Sequence, residues 1–167
     1  MPHELEIIAE PGQPTIISRR VVNARRELVW DVFTRPEHLR RWWGPRVLTM
    51  VVCEVDLRVG GRYRFVQRTP DGQEFGFRGE YREIVRPERI VNTFVFELMP
   101  DHEALQTLVL EEHDGRTTVS TTTLHKTVAD RDAHLASGME PGMRETYARL
   151  DELLVAIQSQ PTESDKS

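Results

Sequence analysis

The chain is poor in everything that would announce a function. It has one cysteine, Cys53, in 167 residues. That excludes an internal disulfide and any zinc site built from several cysteines, and it fits a reducing cytosol. Long apolar runs are absent. The longest are a few residues, against the ~18 needed to span a bilayer. The first residues, MPHELEIIAEPGQP, carry acids and no apolar core, which excludes a signal peptide or an anchor. Charge of one sign is not concentrated anywhere. The 22 basic and 27 acidic side chains are interspersed and sum to −5, so no nucleic-acid footprint is present. Catalytic signatures are missing as well. There is no GxSxG, HExxH or phosphate loop, and no glycine-rich dinucleotide turn. Around Ser137, the string Ala136-Ser137-Gly138 lacks the flanking glycine pattern of a nucleophile elbow. These absences point to a soluble, cytoplasmic protein without nucleic-acid or membrane partners, cofactor, bound metal or assigned catalytic residue.

What is present is strand signal, bracketed by helices. A chain of this length makes one domain by default. Residues 1–14 mix prolines with charges and read as an extended lead-in, on which Ile7 and Ile8 dock. Residues 15–157 form the domain, and 158–167 a flexible polar tail. The β-branched run at 15–23 predicts a first strand. Leu28, Val29, Val32 and Phe33 then fall at helical spacing until Pro36, which sits well in the first turn of a second short helix. Six strands follow, over 51–57, 62–68, 74–85, 89–98, 104–112 and 116–125. Gly60-Gly61, Asp71-Gly72 and Asp114-Gly115 mark tight connections between them. Asp130 suits the cap of a short helical turn reaching Ala136. Past Gly138, Met139, Met143, Tyr147, Leu150, Leu154 and Ile157 make one apolar stripe on a long final helix. The order β-α-α-β-β-β-β-β-β-α predicts an α+β fold, with a curved antiparallel sheet of seven strands wrapped around the C-terminal helix.

Four stretches carry a family resemblance: VWDVFTRPEHLRRWWGP at 29–45, DLRVGGRYRF at 56–65, FRGEYREIVRPERIVNTF at 77–94 and HLASGMEPGMRETYARLDELL at 134–154. In this order the sequence resembles the START-like, or SRPBCC, superfamily. More narrowly, it resembles the branch of the heat-shock-protein-90 ATPase activator homologue. The resemblance implies the helix-grip fold. It leaves function among lipid carriers, receptors, cyclases and chaperone co-factors, because fold alone does not choose. The full chaperone activators carry a separate N-terminal domain that makes much of the chaperone contact. The single domain here does not suggest that role.

Alternation places Tyr63, Phe65, Phe75, Phe77, Tyr81, Phe94 and Phe96 on one face of the sheet. Such a face is ordinary core, and it is also what lines an apolar ligand cavity. The Trp42-Trp43 pair cannot face one way on a helix, so one ring packs inside and the other reaches the cavity mouth or a partner. Cys53 reads as a buried structural thiol. His102 and His113 lie by turns and read as solvated. His125 ends the last strand and reads as a hydrogen-bonded structural histidine, with a general base as the sharper alternative. Arg78 and Glu83 point inward only if a bulge turns them.

The expected site is a cavity between the sheet and the N-terminal half of the last helix, where Gly138 and Gly142 leave space. Its lining is Phe65, Phe77, Tyr81, Phe94, Met139, Gly142, Met143 and Tyr147, with Trp43 and His125 at the rim. The expected function is binding of an apolar or amphipathic small molecule. The competing readings are a cofactor-free cyclase or dehydratase type of enzyme and a partner-binding module resembling a chaperone co-factor. A homodimer is compatible with the sequence.

Overall fold

The computed structural model describes residues 4–160. The first three residues and the end of the expected tail therefore lie outside the described residues. The elements run β1 (Glu6–Ile8), β2 (Thr15–Val22), α1 (Arg26–Thr34), α2 (Pro36–Trp42), β3 (Thr49–Val55), β4 (Arg62–Arg68), β5 (Glu74–Val85), β6 (Arg89–Phe96), β7 (Ala104–His113), β8 (Arg116–Leu124), α3 (Val128–Ala136) and α4 (Met139–Gln158). The strands form one antiparallel sheet in the order β1-β2-β8-β7-β6-β5-β4-β3. The meander β3 to β8 is thus as expected, with β2 returning beside β8.

The sheet has eight strands rather than seven. Ile7 and Ile8 do dock, but as a strand, pairing with Ser18 and Ile17 of β2. Without them β2 would be an open edge with unpaired backbone groups. The turn glycines behave as expected. Gly60, Gly72 and Gly115 all have positive φ in connections between adjacent strands.

Curvature comes from two irregularities. The register slips between Met50 and Val52 on β3 and between Tyr81 and Glu83 on β5. Such bulges bend and twist a strand. They do not turn Arg78 or Glu83 inward. Arg78 pairs with Glu97 at 3.7 Å and Glu83 with Arg89 at 3.2 Å, on the solvent side.

The concave face is covered by helices at two places. α4 lies over β2 and β8. Tyr147 (6% exposed), Leu150 (0%) and Leu154 (2%) are buried there, as its stripe predicts. Arg20 of β2 makes two hydrogen bonds to Asp151, at 2.7 and 2.5 Å, and stands over the Tyr147 ring. α1 and α2 cover the other end, where Trp30, Leu39 and Trp42 are buried. Arg149 of α4 joins the two covers by donating to the carbonyls of Gly44 and Arg41. α3 is capped by Thr127, whose hydroxyl accepts from the Asp130 N–H. The capping residue is therefore not Asp130 but the threonine three positions earlier, the usual spacing for a side-chain cap.

Candidate functional site

The aromatic face is real and is only partly filled. Two adjoining cavities open along it. The inner one has a volume of about 190 Å³ and lies between α1–α2 and strands β4 to β8. Trp43, Phe65, Tyr81 and Phe94 form much of its wall. The tryptophan pair splits as its helical geometry requires. Trp42 is buried and its indole N–H donates to the Val32 carbonyl. Trp43 leans over the sheet, 4.9 Å from Phe65 and 5.2 Å from Phe77.

One wall of the inner cavity is polar. Tyr63 of β4 reaches across Gly79 on β5 and donates to the Thr93 carbonyl of β6 at 2.6 Å. The Asn92 amide nitrogen donates to that same carbonyl and to the Tyr63 oxygen, each at 3.0 Å. Its nearest further acceptor is Gln106 Oε1, at 3.4 Å. Burial, with the neighbouring Tyr81 and against the Asn92 hydrogen bond, pushes the Tyr63 phenol far up, so it stays a neutral hydroxyl. Among the described residues no charged side chain lines this cavity.

The outer cavity measures about 350 Å³ and shares Phe94 with the inner one. Phe77 and Phe96 stack on each other at its floor, and α3 closes it with Ala133 and His134. Two polar pairs stand around it. His102 Nδ1 lies 2.7 Å from Asp130 Oδ1, and His125 Nε2 lies 3.0 Å from His134 Nδ1. The first pair fixes the ring orientation of His102 beside the apolar pocket. The second ties the end of β8 to α3.

Desolvation pushes His134 down to about 4, helped by His125. The same burial lowers His125, with Asp130 opposing and Arg131 adding to it. Both are therefore neutral near pH 7, one donating to the other. A group whose folded pKa is depressed costs stability as it is forced to charge. For His134 that loss starts as the pH falls through its ordinary value of 6.5 and saturates below about 4. It should amount to ~3 kcal/mol. Denaturant titrations of the parent and His134→Gln across pH 7 to 4 check this. The variant should show the shallower fall, and equal slopes would exclude His134 as the cause.

The structure brings together Trp43, Phe65, Tyr81 and Phe94 in the inner cavity, and Phe77, Phe94 and His125 in the outer one. It does not bring Met139, Gly142, Met143 or Tyr147 to either. The walls come from α1, α2 and α3 instead of α4. The reason is direct packing: Tyr147 is buried against the sheet with the Arg20 guanidinium over its ring. Met143 packs on the core. A Cβ at Gly142 would meet nothing within 4 Å, so Gly142→Leu fits without filling either cavity. His102 is not simply solvated, since Asp130 holds it. Cys53 is buried and its thiol is pushed up by burial, as for a structural cysteine.

Sequence spacing puts Tyr63 on this face but does not single out Asn92, Gln106 or His134. Asn92 was within reach, because it alternates with Phe94 and Phe96 and so shares their face. His134 was not, because its neighbour His125 belongs to another element. Among the described residues no cluster of three or more histidine, cysteine or acidic side chains could hold a metal ion. Nor is any described helix long and apolar enough to cross a membrane.

No curated protein matches the chain in sequence. Solved structures do resemble it. A protein from Rhodobacter sphaeroides is 30% identical with a TM-score of 0.85, over 92% of this chain and 99% of that one. A protein from Nitrosomonas europaea is 27% identical with a TM-score of 0.79, over 87% and 97%. An AHSA1-like protein from Aeromonas hydrophila is 19% identical and shares the fold at a TM-score of 0.69, over 89% and 99%. Residues 23–155 match the model of the family described as Activator of Hsp90 ATPase homolog 1-like protein. That match spans both covers of the sheet and every strand of the two cavities, and the chain belongs to this family.

Proposed function

We propose that the protein binds a small apolar or amphipathic molecule in the two adjoining cavities, and does so in the cytoplasm. The observation that carries this reading is the incomplete filling of the aromatic face. Cores pack closely and leave few voids larger than a water molecule. Here two cavities of about 190 and 350 Å³ share the Phe94 ring as their partition. Joined, they reach the ~300–1,000 Å³ usual for ligand sites, and their walls are mostly apolar with few polar groups. Chemically this suits a molecule with a polar end in the inner cavity and an apolar body passing Phe94.

The test is uptake of a neutral fluorescent probe, N-phenyl-1-naphthylamine, by the parent and by Ala133→Trp. Ala133 is exposed on α3 and lines the outer cavity, so the larger ring should fill that space without a fold cost. The parent should bind the probe, and the variant should bind it at least ~10-fold more weakly. If the parent takes up neither this probe nor other hydrophobic compounds, the cavities are not a ligand site.

A further inference from the structure

We infer that the inner cavity selects an uncharged amide-type edge, an N–H beside a C=O, through Gln106 and Asn92, and that it rejects carboxylates. This rests on the ligand-binding reading above and names the chemistry of the bound end.

The two side chains are neighbours across the β6–β7 ladder, Asn92 opposite Gln106. Their orientation is set by the backbone. The Thr93 carbonyl can only accept, so the atom of Asn92 facing it must be the amide nitrogen. Turning the amide over would set two carbonyl oxygens against each other. That leaves Asn92 Oδ1 free. Both Asn92 amide protons are taken by Thr93 and Tyr63, and Gln106 Oε1 stands 3.4 Å from that electropositive NH2. The reversed Gln106 amide would set two NH2 groups against each other, so its nitrogen points away. Neither Asn92 Oδ1 nor Gln106 Nε2 has a hydrogen-bond partner among the described residues, and both side chains line the cavity. One wall thus offers a free acceptor beside a free donor. An amide, lactam or imide edge answers both at once. A carboxylate answers only the donor and sets its charge against Asn92 Oδ1.

Among the described residues no cation lines the cavity to offset that charge. Buried and partly buried arginines are engaged elsewhere: Arg149 donates to the carbonyls of Gly44 and Arg41, and Arg26 pairs with Glu88. Arg20 is held by Asp151. Arg131 donates to the carbonyls of Glu10 and Thr15 at 3.0 Å each, and to Asp132. An anion entering the inner cavity would therefore lose its hydration with no counter-charge to replace it.

The experiment compares three molecules of one shape by ligand-observed NMR titration at pH 7: toluene, benzamide and benzoate. Benzamide should bind at least ~10-fold more tightly than benzoate. Gln106→Leu removes the donor at similar volume. It should bring benzamide down to or below the affinity of toluene, while toluene binds at least as tightly as in the parent. Should that variant fail to fold by circular dichroism, Gln106→Glu replaces the donor by an acceptor at constant shape and should lose benzamide without gaining benzoate. If toluene binds but benzamide and benzoate are equal, or if the benzamide preference survives the loss of Gln106, the amide-edge inference is overturned and ligand binding stands. If none of the three binds, ligand binding itself fails and this inference falls with it.

Discussion

Gly79→Val is expected to cost more than ~3 kcal/mol and to leave much of the protein unfolded under mild denaturant. Gly79 lies in the middle of β5, where a strand normally avoids glycine. The structure shows why it is there. Tyr63, directly opposite on β4, passes over this position to reach the Thr93 carbonyl of β6. A Cβ at Gly79 would overlap that carbonyl oxygen and the Tyr63 ring. One obstacle is backbone and the other is a buried ring, so neither can yield cheaply. The β5–β6 ladder is already irregular here, and the Glu80 N–H donates to the Thr93 hydroxyl at 2.8 Å. Displacing Tyr63 would leave buried polar groups without partners as well, at ~1–3 kcal/mol each. Urea titration followed by circular dichroism checks the expectation. A variant with the parent's midpoint would show that β5 can move aside, and that Tyr63 is not fixed by the glycine beneath it.

Leu150→Ala should destabilise the protein by ~2–5 kcal/mol, the range for a fully buried leucine. Leu150 has 0% exposure and is flanked on its stripe by Tyr147 and Leu154, at 6% and 2%. α4 lies over β2 and β8, where the Arg20–Asp151 pair fixes its position. Relaxation into the space left by the truncation is therefore restricted. Because neither cavity is lined by α4, the folded fraction of this variant should still take up the neutral probe if the proposed function holds. A midpoint change within error would mean that α4 adds little to the stability of the sheet.

These two positions also show how legible the molecule was. Leu150 was readable from spacing alone, because a helix repeats its buried face every three to four residues whatever it packs against. The same holds for the aromatic face. Tyr63, Phe65, Phe77, Tyr81 and Phe94 were placed together by period-two alternation, and their rings do meet. The split of Trp42 from Trp43 followed from helix geometry in the same way. Gly79 was only half readable. Its face follows from alternation with Phe77 and Tyr81, but the need for glycine arises from a tyrosine on the next strand reaching across to a third.

The site depended still more on what the sequence does not encode locally. The first strand, Glu6–Ile8, is too short and too charged to signal itself, and it exists because β2 offers an edge. The cavity was expected beside Gly142, on the premise that missing side chains leave missing volume. Volume is set instead by how far two elements stand apart. Tyr147 seats α4 on the sheet beneath Arg20, and the space that stays open lies instead where α1, α2 and α3 face the aromatic-rich strands. His125 with His134, His102 with Asp130, and Asn92 with Gln106 are each joined across elements.

Local periodicity and turn chemistry thus determined the element order, the family and the buried faces, because those properties depend on residues a few positions apart. Only the tertiary structure decided where the empty space lies, which polar groups border it and which of their atoms remain unpaired. Those depend on the separation and relative tilt of elements distant in the chain, which no short stretch of sequence specifies.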